Sequence, residues 1–269
     1  MLDKSRWSST IVSTLLLLAL TACGGTSESP PTAEQPAERE RPTPAAPAPA
    51  AGTAVADGTA MISGTIRYEG KVPPPRPIKM EADPGCSKKH GTPPNAEFLV
   101  LGEGNTMANV LVKVTGGLPE AGYAPPAEPA VLDQEGCLYV PHVVGVMVGQ
   151  PLKILNSDGL LHNIHALPEV NQSFNQAMPA SVTETVKTFT KPEPAFKIKC
   201  DVHPWMGAYI EVLSHPFFDV TDSSGRFEIA GLSAGTYQVE AWHEKLGSRT
   251  GTVAVADDET ASADLTFTR

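Results

Sequence analysis

The sequence predicts an all-β protein, and three observations carry that prediction. Pro and Gly supply 26 and 23 of the 269 residues, enough to interrupt helices throughout. Apolar and polar residues alternate with a period of two in many short stretches, as half-buried strands require. Turn residues recur between these stretches at the spacing of antiparallel sandwiches. The length of 269 residues fits two compact units, since a domain takes roughly 100–200 residues. No stretch reads as a helix longer than a turn or two.

The chain opens with an export signal over residues 1–22. Lys4 and Arg6 precede the apolar run Ile11 to Leu20, which is too short to span a bilayer, and small residues follow. Leu20-Thr21-Ala22-Cys23 resembles the lipobox of bacterial lipoproteins, which implies cleavage before Cys23 and lipidation of its sulfur. Removing residues 1–22 deletes Asp3, Lys4 and Arg6, so the net charge goes from −10 to −11. From residue 23 to 58 no apolar periodicity exists, and Pro and Ala fill 13 of the 21 positions from Pro30 to Ala50. Such a stretch cannot bury a core and predicts an extended tether. The expected location is a bacterial membrane, periplasmic or cell-surface, with the lipid as anchor. The acidic balance and the lack of any Lys/Arg run exclude nucleic acid as a partner.

The body then reads as strands. Ile62, Gly64, Ile66 and Tyr68 alternate with polar or small partners, as do Val110, Val112 and Val114. Further strands are expected at Gly136–Val140, His142–Val148, Leu152–Leu155, Val182–Thr190, Ala195–Cys200 and Ala208–Leu213, then at Arg226–Ala230, Thr236–Trp242, Thr252–Ala256 and Ala263–Thr268. Gly149-Gln150, Asn156-Ser157-Asp158-Gly159 and Ser223-Ser224-Gly225 supply turns between them.

One stretch carries metal chemistry. In Cys200-Asp201-Val202-His203-Pro204-Trp205-Met206, a thiolate, an imidazole and a thioether stand three residues apart, just after a strand with Phe196, Ile198 and Cys200 on its inward face. A tight loop bent at Pro204 brings such donors to one point. The set is soft and favours copper, and a second histidine would complete a Cys/His/His plane with a weak axial Met. His162-Asn163, after the strand Leu152–Leu155 and its turn, is placed to supply it. His165 is the rival, but positions three apart in an extended segment face opposite sides.

Here "GQPLKILNSDGLLHN" followed by "FKIKCDVHPWM" resembles the cupredoxins, above all plastocyanin and amicyanin, over roughly residues 131–214. The resemblance implies a Greek-key sandwich binding one type 1 copper through His162, Cys200, His203 and Met206. It implies that Asn163 bonds across to the cysteine loop, and that His203, beside Pro204 and Trp205, is the exposed edge through which electrons enter. Second bonds of this type hold ligand geometry.

Two cysteines remain. In an oxidising compartment Cys86 and Cys137 predict a disulfide, and closing a loop of ~50 residues stabilises by about 4 kcal/mol in the chain-entropy model. The alternative is a two-Cys, two-His metal cluster with His90 and His142. His215 and His243 read as surface histidines.

Residues 215–269 contain "VTDSSGRFEIAGLSAGTYQVEAW", which resembles the transthyretin-like repeat, also called the carboxypeptidase regulatory-like domain. It implies a smaller β-sandwich of structural role. Residues 59–130 form a β-rich region whose opening strand and "GKVPPPRP" resemble the start of such a repeat, so it either pairs with the carboxy-terminal region, leaving the cupredoxin as an insertion, or stands apart.

The function these readings predict is a membrane-tethered electron carrier, and not an enzyme. His-x-His pairs and a Cys-His dipeptide, which a multicopper oxidase needs, do not occur, and a dinuclear centre would need a second Cys near position 204, which is Pro. A copper-sequestering or copper-sensing lipoprotein, or a non-redox adhesive module, is the alternative. The expected partner is a redox protein, a small cytochrome being the plainest case, that docks by charge and by the apolar patch around Trp205.

Overall fold

The computed structural model describes residues 53–54 and 56–269. The export signal, Cys23 and almost all of the tether lie outside the described residues. The chain forms β1 (Thr53–Ala54), β2 (Ala60–Glu69), the helical turn α1 (Pro84–Ser87), β3 (Leu111–Gly116), β4 (Gly122–Tyr123), β5 (Ala130–Glu135), β6 (Leu138–Val140), β7 (Val143–Met147), β8 (Pro151–Asn156), β9 (His162–Ala166) and β10 (Phe174–Met178). It continues with β11 (Glu184–Thr188), β12 (Glu193–Lys199), β13 (Gly207–Leu213), β14 (Phe218–Val220), β15 (Arg226–Leu232), β16 (Gly235–His243), β17 (Gly247–Val255), β18 (Thr260–Ser262) and β19 (Leu265–Thr268). The fold class is all-β, as the alternation predicts.

Two sandwiches result. In the first, a sheet ordered β10-β9-β12-β13-β7 faces one ordered β11-β8-β5-β6. The parallel pairs β13–β7 and β5–β8 show where the chain crosses between sheets. Leu132, Tyr139, Val146, Leu152, Ile154, Ile164, Ile198 and Ile210 fill the space between the sheets. They are the inward residues of their strands, and their removal from water supplies the main favourable term. Period two missed β5, β9, β10, β14 and β18 as well as the two-residue β1 and β4; β10, for one, is an edge strand that reads Phe-Asn-Gln-Ala-Met and has few β-branched residues.

The second sandwich is discontinuous. One sheet is β14-β3-β16-β17; in the other, β2 lies between β15 and, on its far side, β18 and then β19. Ile62, Ile66, Val112, Val114, Phe227, Val239 and Phe267 form its core. The chain therefore leaves this sandwich after β3 and returns at β14, with the first sandwich between. The turn Asp222–Gly225 that starts β15 is set locally: the Asp222 carboxylate accepts the amides of Ser224 and Arg226 at 2.8 and 3.0 Å, and Gly225 takes φ 74°.

Residues 70–110 link β2 to β3 and pack against both cores. Their backbone folds back on itself through Ile78 N–H to Pro94 O and Ala96 N–H to Arg76 O, at 2.8 and 2.9 Å. Ile78, Met80 and Cys86 then enter the core of the first sandwich. A half-buried cation joins the sandwiches elsewhere: Lys113 of β3 bonds Glu211 of β13 and lies 3.1 Å from Glu240 of β16. Lys113 keeps its charge because the two carboxylates outweigh its burial.

One expectation fails in this region. His243 is not a surface histidine; it is 2% exposed, with its ring against Phe267 and its Nδ1 accepting the Lys245 amide at 3.3 Å. It ends β16, where the alternation that buries Tyr237, Val239 and Ala241 carries it inward. Burial holds its pKa at about 4, against the pull of Glu244. A depressed histidine gives its full stability above about pH 6.5 and loses it as pH falls toward 4, because only the unfolded chain takes up the proton. The loss is on the order of 3 kcal/mol. His243→Phe is therefore expected to flatten stability between pH 6.5 and 4.5 by about 2 kcal/mol, the part of that loss falling in this window, read from urea midpoints of both proteins at the two pH values.

Candidate metal centre

The centre is built at one end of the first sandwich from two strand junctions. β8 ends at Asn156, whose side-chain amide donates to the carbonyls of Leu160 and Met178, each at 2.9 Å. That pair of hydrogen bonds fixes the turn, and the chain re-enters the sheet as β9 with His162 first. In β9, His162, Ile164 and Ala166 point inward, whereas His165 is part-exposed and bonds Asp201 at 2.9 Å. The strand is not bulged, so only His162 reaches the interior.

β12 and β13 form an antiparallel hairpin in register Lys199 with Gly207, so residues 200–206 are its tip. The Cys200 amide donates to Met206 O at 3.2 Å and the Met206 amide to His203 O at 2.9 Å. This closure carries the His203 amide to within 3.3 Å of Cys200 Sγ. His162, Cys200, His203 and Met206 are 0%, 2%, 2% and 1% exposed.

The donor atoms of three of them converge. Nδ1 of His162 and Nδ1 of His203 stand 2.9 Å apart, Cys200 Sγ is 3.9 Å from the latter, and all three lie within 4.8 Å of one another. Met206 is buried at the base of the same loop. Asn163 ties the two loops: its Oδ1 accepts the Asp201 amide at 2.6 Å and the Cys200 thiol at 3.3 Å, while its own carbonyl accepts the Tyr139 hydroxyl at 2.6 Å.

Charge is already arranged for a cation. Burial opposes ionisation of Cys200, but His162 and the amides around the sulfur outweigh it and hold the thiol below its usual range. Burial likewise opposes a charged His162, and Asp158 with Cys200 overcomes it, raising its pKa to about 9. A thiol held below its usual range beside two histidine rings, sealed from water, is a soft donor set for copper or zinc once deprotonated, and the buried thioether beside it favours copper.

Two residues of the centre were not read as such from the sequence. Asp158, taken only as a turn residue, has its side chain 1% exposed and lies 2.8 Å from His162 Nε2. Asp83, beyond the stretch that carries the donors, lies 3.0 Å from His203 Nε2. The one sequence signal for Asp83 is Asp-Pro ahead of a short helix, the pattern of an N-cap. Cys86 and Cys137 form the expected disulfide, and Cys86 Sγ comes within 3.5 Å of His203 Nε2. The alternative cluster does not assemble, because His90 bonds Gly136 O and His142 bonds Glu244.

The disulfide and α1 also correct the expected electron edge. His203 is covered rather than exposed. Trp205, half-buried, stacks on it with ring centroids 5.1 Å apart and donates Nε1–H to Cys137 O at 3.1 Å.

No family model matches the sequence, and no curated protein matches it. Solved structures similar to part of the chain include the copper-containing nitrite reductase from Thermus scotoductus SA-01, with 20% identity over 37% of this chain and a TM-score of 0.31. The chain spans 26% of that enzyme's length. A mutant of amicyanin in the Cu(I) state is similar over 36% of this chain and 97% of its own, at 21% identity and TM-score 0.29. A purple cupredoxin from Nitrosopumilus maritimus is similar over 31% and 99%, at 20% identity and TM-score 0.27.

Asn163→Ala removes the acceptor for the Asp201 amide and the Cys200 thiol, and is expected to cost about 1–3 kcal/mol of stability in the metal-free protein. His165→Ala, on the outer face, is expected to stay within about 0.5 kcal/mol of wild type. Urea unfolding of the two variants checks both.

Proposed function

We propose that the chain is a type 1 copper protein that carries electrons while tethered to a bacterial membrane, with His162, Cys200, His203 and Met206 as the metal ligands. The observation that carries this reading is the convergence of Nδ1 of His162, Nδ1 of His203 and Sγ of Cys200 in a dry pocket between two strand ends. The donor chemistry fits copper: a thiolate of lowered pKa, two imidazoles and an adjacent thioether. Copper held there would take up and release one electron at a time.

The chain's own part is to keep the donors still. His162 is fixed by the strand it opens, Cys200 and His203 by the hairpin tip, and Asn163 by bonds to both loops. A site that is rigid in this way loses little energy to rearrangement when its charge changes. Among the described residues the other two groupings of donor residues, Asp83 with Cys86 and His203, and Cys137 with Asp158 and His162, share a histidine with the first and use disulfide sulfur. They therefore support a single centre.

With His203 covered, electrons would leave through Trp205, whose ring meets His203 on one side and a cleft shared with Tyr209 and Lys197 on the other. A soluble redox protein, such as a cytochrome, is the partner this reading calls for. Lipid on Cys23 and the Pro/Ala tether would let the sandwiches reach it. The discontinuous sandwich, which resembles the transthyretin-like repeat, would serve as scaffold.

The purified protein is expected to turn intensely blue with copper(II), through thiolate-to-metal charge transfer. Cys200→Ser should abolish the colour with little change in fold, and Met206→Gln should keep copper but lower the reduction potential. A colourless copper(II) form would sink the assignment. Colour with an unreactive metal would favour sequestration over transfer. Trp205→Ala should leave spectrum and potential in place while slowing electron exchange with a cytochrome, measured by stopped flow across a salt series; equal rates would move the exit elsewhere.

A further inference from the structure

Each histidine of the centre has one nitrogen in the donor cluster and the other on a carboxylate. His162 directs Nδ1 toward His203 and Nε2 toward Asp158, and His203 directs Nδ1 toward His162 and Nε2 toward Asp83. Neither carboxylate comes from the hairpin tip 200–206. Asp158 precedes β9, and Asp83 comes from the segment that links the strands of the other sandwich. The two oxygens of Asp83 divide the work: Oδ1 caps α1 by accepting the amides of Gly85 and Cys86 at 2.7 and 3.3 Å, and Oδ2 is left for His203. The segment is stapled over the centre by the Cys86–Cys137 disulfide and by Lys89, 3.0 Å from Asp158.

We propose that Asp83 is a positioning residue of the metal centre: it fixes the ring and tautomer of His203 and, by its charge, favours the more positive state of the bound metal. An imidazole that donates to a carboxylate is a stronger ligand toward a metal on its other nitrogen. The His203 ring is buried while the Asp83 side chain is 35% exposed, so solvent screens part of the charge and the direct 3.0 Å hydrogen bond to Nε2 carries the rest of the effect. The inference rests on the copper reading above and goes beyond it, because it makes the centre depend on a residue 117 positions before Cys200 and carried by the other sandwich. Asp158 does the same for His162 but also accepts the amides of Gly136 and Cys137, so its removal would disturb folding as well. Asp83 is therefore the cleaner handle.

The test uses the full chain loaded with copper. Asp83→Asn keeps an oxygen for the α1 amides but removes the charge; Asp83→Ser keeps only the cap. Both are expected to raise the copper(I)-to-copper(II) affinity ratio about tenfold, which is ~59 mV in reduction potential for one electron. In the reduced protein the Nε2–H of His203, followed by nitrogen-15 NMR, should exchange with water faster in both. Glu135→Gln, which removes an exposed carboxylate of β5, should change neither reading. A blue protein whose two Asp83 variants keep the wild-type potential and the wild-type Nε2–H exchange overturns this inference alone. A chain that takes up no copper overturns the proposed function and this inference together.

Discussion

The carboxylate of Asp158 sits almost wholly out of water, with its side chain 1% exposed, and every partner it needs is supplied by a different part of the chain. His162 Nε2 comes from β9, the amides of Gly136 and Cys137 from the β5–β6 turn, and the ammonium of Lys89 from the capping segment. A buried charge with fewer partners would be costly. With four, its pKa stays at about 2 despite burial. That one group therefore sets the position of the first histidine, of the disulfide turn and of the cap together. Moving any of them strands a charge in the interior.

The same logic explains why the centre is closed. Cys137 sits at φ 56° beside Gly136 at φ 62°, a tight turn that the Asp158 carboxylate stabilises through both amides. From this turn the disulfide reaches Cys86 in α1, and the Cys137 carbonyl takes the Trp205 indole. The face of His203 that would otherwise meet solvent is occupied by Asp83 and by sulfur. What remains open to water is the far side of Trp205, which makes the aromatic ring and not the imidazole the outer boundary of the centre.

The discontinuous sandwich earns its place by supplying that cap. Its two early strands, β2 and β3, are held by partners from beyond residue 217, so the loop between them is anchored at both ends to a rigid body. Loop-closure cost grows slowly with length, and a disulfide with three buried side chains offsets it. The ion cluster of Lys113 with Glu211 and Glu240, and the bonds of Glu244 to His142 and Tyr209, fix one sandwich against the other. The cap is thus positioned by contacts far from the donors it covers.

Local pattern was enough for much of this. Period-two alternation gave most of the strands, because in a sheet side chains of neighbouring residues leave on opposite faces whatever the partner strand. The spacing of Cys200, His203 and Met206 gave the donor loop, because a hairpin tip of seven residues constrains its own geometry. The same parity kept His162 and His165 from facing one metal together, and the Asn that follows His162 chose between them. Only the tertiary structure decided the rest. That residues 60–116 pair with 218–268, that His243 is buried, and that Asp83 and Asp158 stand behind the two histidines are all matters of contacts between positions far apart in the chain. A carboxylate in a loop carries no periodicity to read. Whether it faces water or an imidazole depends on where the remaining chain has been packed, and that is settled by burial and by the need to pair every charge taken inside.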